Sequence, residues 1–89
     1  MTSAALHPVT VPHRVVMIGT PQAVKVYCLI AQHIAAGNPY PARRELAAAM
    51  EFNRTKSVDA YIAELSAMGA ITVSRGSGHG IRNHYALTA

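Results

Sequence analysis

The run Asn53-Arg54-Thr55-Lys56-Ser57 sets two cations among three hydrogen-bonding side chains, immediately ahead of an apolar periodic segment. At the start of a helix such a group suits an anion, because free amides and the positive end of the helix dipole point the same way. Arg54 and Lys56 have the chemistry to pair with the acceptor edge of guanine, while Asn53 either reads adenine or caps the helix. The bland alternative is a solvated helix end with ordinary capping. Arg43 and Arg44 open the preceding predicted helix, where they are placed to hold backbone phosphates; Arg44 has the alternative of pairing with Glu45 or Glu51. Arg75, His79 and Arg82 share a segment with three glycines and no acid, which suits a phosphate backbone or a narrow minor groove. A flexible loop whose glycines merely permit a turn has the same composition.

Other chemistries fare worse. His7, His13, His33, His79 and His84 show no metal-ligand spacing, and four carboxylates are too few to complete a site. The glycines at 76, 78 and 80 lead from strand to strand, with no following Lys-Ser/Thr pair to make a nucleotide loop. Cys28 is the single cysteine, so neither an internal disulfide nor a cysteine zinc site is available. Within Val26-Tyr27-Cys28-Leu29-Ile30 it is expected as a core thiol. No enzyme, metal or cofactor is therefore expected. His79 and His84 titrate near neutrality when unperturbed, which would strengthen polyanion binding in mild acid; equal affinity at pH 6 and pH 8 would remove that expectation.

Eighty-nine residues make one small domain, with eight Lys+Arg against four Asp+Glu, a net charge of +4 and a pI near 9.7. That surplus favours nucleic acid or an anionic membrane as partner. No apolar run approaches the ~20 residues needed to cross a bilayer, and the N-terminus lacks signal-peptide organisation. A soluble, cytoplasmic protein is the expectation.

The elements that must position these residues follow from punctuation and period. Residues 1–19 read as an extended arm, because Pro8 and Pro12 oppose a helix and the valines favour a strand, placed at Arg14–Ile18. Residues 20–89 read as the domain proper. Thr20-Pro21 starts a helix that runs to about Ala36, with Val24, Tyr27, Ile30, Ala31 and Ile34 on its core face. A second helix spans Ala42–Met50 and buries Leu46, Ala47 and Met50. After a turn at Glu51–Thr55, a third runs from Thr55 to Met68 on Val58, Tyr61, Ile62 and Leu65, stopped by Gly69. The period then falls to two around Ile71 and Val73, and again around Tyr85 and Leu87, giving a hairpin. The expected fold is α+β and mostly α: a winged helix-turn-helix of three helices and a β-hairpin wing, preceded by an extended arm.

Four motifs stand in order along this plan: Pro39-Tyr40-Pro41-Ala42-Arg43-Arg44-Glu45-Leu46-Ala47; Phe52; Leu65 with Gly69, Ala70 and Ile71; and Gly76 with Gly80-Ile81-Arg82. In these the chain, from about Val24 to Arg82, resembles the N-terminal DNA-binding domain of the LexA family of SOS repressors. The family carries Pro-Pro-Thr-Arg-x-Glu-Ile-Ala, Gly-Phe, Leu-x-x-x-Gly-x-Ile and Ser-Gly-x-x-Arg-Gly-Ile-Arg at the corresponding places. The resemblance implies a sequence-specific regulator that reads the major groove of double-stranded DNA with its third helix and the backbone or minor groove with its wing. It does not carry over the operator, because the family's recognition helix opens with Ser-Pro-Asn and continues into Glu-Glu. Here Arg54-Thr55-Lys56 and Asp59-Ala60 stand instead. Nor do these residues include the family's protease domain, so self-cleavage is not expected.

One such module makes few phosphate contacts and binds weakly at physiological salt. A homodimer through the N-terminal arm would supply a second half-site; the other option is an arm folded onto its own domain. Two rival roles remain open: a protein-interaction adaptor, and an architectural or replication accessory that binds DNA without regulating transcription.

Overall fold

Among the described residues the chain forms four helices and two strands: α1 (His13–Ile18), α2 (Pro21–Ala35), α3 (Arg43–Ala49), α4 (Thr55–Ala67), β1 (Ile71–Ser74) and β2 (His84–Leu87). The computed structural model describes residues 8–39, 41–74 and 83–88. The fold is small, α+β and mostly helical.

α1 corrects the expectation of an extended arm. Pro12 lies just outside the helix, with φ −57° and ψ 140°, and its carbonyl accepts from the amides of Val15 and Val16 at 3.0 and 3.2 Å. A proline lacks an amide to lose there, so it starts the helix rather than opposing it. What fixes six residues as a helix is tertiary. Val15 is fully buried, and the Arg14 guanidinium donates to the carbonyl of Met68 at the far end of α4. Gly19 then turns the chain into α2; a Cβ there would lie 2.7 Å from the Val15 carbonyl oxygen, closer than real contacts allow. The domain proper therefore has a fourth helix folded against it.

α2 begins as its sequence requires. The Thr20 hydroxyl accepts from the Ala23 amide at 3.3 Å, and Pro21 occupies the first helical position. Ala23, Val26, Tyr27, Ile30 and Ala31 are buried, whereas Val24, Cys28 and Ile34 are only partly so. Burial pushes the Tyr27 phenol above its ordinary pKa. Leu46 and Ala47 of α3, together with Val58, Ile62 and Leu65 of α4, complete the helical side of one core. Each large side chain in it contributes about 1.5–3 kcal/mol through removal from water.

β1 and β2 pair antiparallel, with Ile71 opposite Leu87 and Ser74 opposite His84. Alternation puts Ile71 and Tyr85 into the core. The Tyr85 amide donates to the Pro39 carbonyl at 2.9 Å, and Thr88 donates to the carbonyls of Ala70 and Gly69. The strand pair is thereby tied to the connection between α2 and α3 and to the segment that follows α4. Its connection, 75–82, lies outside the described residues, so Arg75, His79 and Arg82 are not placed.

Candidate nucleic-acid interface

The turn between α3 and α4 is built from one strained residue and one aromatic anchor. Glu51 has φ +60°, a left-handed conformation unusual for a residue with a Cβ. It reverses the chain so that the Phe52 amide reaches the Ala47 carbonyl at 2.9 Å. The Phe52 ring then stacks on Tyr61 of α4, with centroids 5.8 Å apart and planes inclined by 24°. On their inner sides α3 and α4 contribute Leu46 and Ala47, and Val58, Ile62 and Leu65, to the same buried core.

That geometry delivers the first turn of α4 to the surface. Arg54 occupies the N-cap position with extended φ and ψ, and no side chain caps the helix. Asn53 is exposed one residue earlier, so it does not cap the helix. Arg54, Lys56 and Ser57 are exposed and Thr55 is half-buried. No acid lies in this first turn, and among the described residues neither Arg54 nor Lys56 forms an ion pair. Cations at the positive end of a helix dipole are locally unfavourable, by about 0.3–1 kcal/mol each at exposed sites. Folding therefore gains nothing from them there.

The two arginines of α3 behave differently. Arg43 Nη1 lies 2.7 Å from Asp59 Oδ2, an ion pair that crosses from the first turn of α3 to the second turn of α4. Both groups are more than a third exposed, so the pair orients side chains more than it stabilises the fold. Arg44 is exposed and, among the described residues, has no ion-pair partner. Its expected neighbour Glu45 instead accepts from the Ala42 amide at 2.9 Å, closing the start of α3.

A cleft of about 450 Å³ runs between the outer face of α4 and the strand pair, lined by Arg43, Asp59, Ala63, Ser66, Val73 and Asn83 among others. The exposed face of α4 beside it continues through Ala60, Ala63 and Ala67. Small side chains there let the helix axis approach a facing surface closely. Sequence spacing did not expose the Arg43–Asp59 pair, because its members are 16 residues apart on different helices. The charge-poor Ala60–Ala63–Ala67 row, by contrast, is visible in the α4 period.

The structure thus brings Arg43, Arg44, Asn53, Arg54, Thr55, Lys56 and Ser57 to the α3–turn–α4 unit. Among the described residues, no group of His, Cys, Asp and Glu has metal-site geometry, and no helix is long and apolar enough to cross a membrane. Compared with known proteins, the chain matches no family model, no curated relative and no solved structure.

Proposed function

We propose that this chain is a winged helix-turn-helix regulator that binds double-stranded DNA in a sequence-specific manner. In this reading α3, the 50–54 turn and α4 form the helix-turn-helix, and the strand pair with its 75–82 connection forms the wing. α4 enters the major groove by its N-terminal turn, where Arg54 and Lys56 face base edges or the flanking phosphates. Asn53, Thr55 and Ser57 add hydrogen bonds, and Arg44 meets the backbone. Arg43, already held by Asp59, reaches a phosphate only by exchanging one anion for another. The wing, with Arg75, His79 and Arg82 and no acid, follows the backbone or the minor groove.

The observation that carries the proposal is the cationic turn at the start of α4, uncapped and without an ion pair among the described residues, placed where the dipole makes it unfavourable for folding alone. A duplex supplies what that turn lacks: acceptors for its amides and negative charge for its side chains. The motif order shared with LexA repressors supports the same reading. The cytoplasm is the compartment it implies.

Selection of bound duplexes from a random-sequence pool tests it. A single motif should emerge, and Arg54→Ala should relax one position of that motif at a cost of about 1–3 kcal/mol if its contact is bidentate to guanine. Lys56→Ala should either do the same or, if its contact is to phosphate, lower the salt dependence by roughly one counterion without changing the motif. Binding that is equal for all sequences and disappears with salt would favour the architectural role. No binding to any duplex would favour an acidic protein partner for the same surface.

A further inference from the structure

Along α2, Tyr27, Ala31 and Ala35 follow one another at helical spacing and so share one face. Residues 8–12 run beside that face, with Val9 and Val11 packed against the core. The two alanines leave a cavity of about 320 Å³ between helix and segment, which Leu87 of β2 also lines. Sites for small molecules begin at about 300 Å³.

The lining is apolar, with one group out of place. Among the described residues around the cavity none carries a charge, and only Tyr27 and Thr10 have polar side chains. Tyr27 is 1 % exposed, and its hydroxyl forms no hydrogen bond among the described residues. No fully buried side-chain oxygen or nitrogen among those residues lacks a partner, so the hydroxyl is the atom of Tyr27 that still reaches open space. The open space that Tyr27 lines is this cavity. Burial raises the phenol's pKa, which keeps its proton in place as a donor. Water is a poor match, because an enclosed water takes about two to four polar partners. Pro8 and Pro12 have no amides to offer, and the Pro12 carbonyl already accepts from Val15 and Val16.

We infer that this cavity binds a small uncharged molecule, apolar over most of its surface, whose one carbonyl or hydroxyl oxygen pairs with the Tyr27 phenol. An ionic group would lose its hydration and meet no opposite charge among the described lining residues. A wholly apolar molecule would cover the phenol and leave it unsatisfied, which is costly. The site is separate from the cationic turn of α4, since neither Arg54 nor Lys56 lines it, and it does not rest on the DNA-binding role.

The test titrates the full chain with acetophenone, ethylbenzene and benzoate, which share a ring and differ in their polar group. Binding is read from the NMR resonances of Val9, Tyr27, Ala31 and Leu87. Acetophenone should shift these in a saturable manner, and benzoate should bind at least about tenfold more weakly. Tyr27→Phe removes only the hydroxyl. It should weaken acetophenone roughly two- to tenfold, the range of one hydrogen bond, and leave ethylbenzene unchanged. Ala35→Leu, at an exposed position, fills the cavity and should abolish binding of both neutral compounds. Circular dichroism checks that the variants fold; if Tyr27→Phe does not, Ala35→Leu and the weakness of benzoate decide alone. No saturable shift with acetophenone would overturn the inference and leave the cavity to another part of the chain or to a protein surface. So would an equal effect of Tyr27→Phe on both neutral compounds, or binding of either that survives Ala35→Leu. No DNA is present in these titrations, so the DNA-binding role stands or falls separately.

Discussion

At its C-terminal end α4 is bonded to groups from elsewhere in the chain, whereas at its N-terminal end no side chain caps it. Arg14 donates to the Met68 carbonyl, and Thr20 donates to both oxygens of the Glu64 carboxylate, at 2.8 and 3.0 Å from its amide and hydroxyl. At the other end Arg54 and Lys56 are exposed and form no ion pair among the described residues. The two ends obey opposite electrostatic logic. Arg14 at the C-terminal carbonyls complements the helix dipole, and Glu64, which opposes it there, is held by two bonds from Thr20; the cations at the N-terminal amides oppose it with no ion-pair partner among the described residues. Polar groups at the first end are satisfied within the fold and contribute to its stability. Those at the second remain available to an outside partner.

The difference predicts where substitution unfolds the protein. Leu65→Ala, at a wholly buried side chain in the last turn of α4, should have the largest effect, about 2–5 kcal/mol, because it opens a cavity in the core shared by the helices and β1. Urea unfolding followed by circular dichroism would measure it; a loss below about 1 kcal/mol would mean that the anchored end is not the structural one. Thr20→Ala should come next at about 1–2 kcal/mol. It removes the cap of α2 and the hydroxyl bond to Glu64, and leaves the backbone bond in place. If thermal unfolding shifts by less than a few degrees, the Thr20–Glu64 tie is incidental.

This contrast also explains what could be read in advance. α2, α3, α4 and both strands were legible within a residue or two, because each combines a clear apolar period with a local start or stop such as Thr20-Pro21 or Gly69. The cluster at Arg54–Lys56 was legible for the same reason: it is contiguous and sits at a predicted boundary. α1 was not, because its one local signal, Pro12, reads equally as a helix breaker and the valines of His13–Ile18 favour a strand; burial of Val15 and the Arg14 bond, both long-range, decide it. The Arg43–Asp59 pair was hidden likewise. Arg43 was read by its position on one helix, when its partner lies on another. Non-local contacts leave no period or spacing for a sequence to display.

Glu51 gives a smaller test, at the boundary of the free end. Its φ of +60° costs a residue with a Cβ about 1–2 kcal/mol, and its exposed side chain forms no ion pair among the described residues. Glycine adopts this conformation without strain but has more freedom to lose on folding. Glu51→Gly should therefore stabilise the protein by about 1 kcal/mol, read as a rise of several degrees in Tm. A fall would show that the turn depends on the Glu51 side chain rather than tolerating it.

The smallest stability effect separates the two ends most sharply. Lys56 is the second residue of α4, within the turn where the dipole favours an acid. Lys56→Glu replaces an unfavourable charge with a favourable one, so the fold should gain about 0.5–1 kcal/mol or, with salt screening, stay unchanged. Binding to a selected duplex should move the other way by far more, because a carboxylate now faces phosphates where an ammonium did. Denaturation and DNA titration of the same sample read both quantities. A variant that gains stability and loses DNA affinity identifies Lys56 as a residue whose charge serves binding at the expense of folding. If stability falls together with affinity, Lys56 supports the fold, and the contrast between the two ends of α4 is lost.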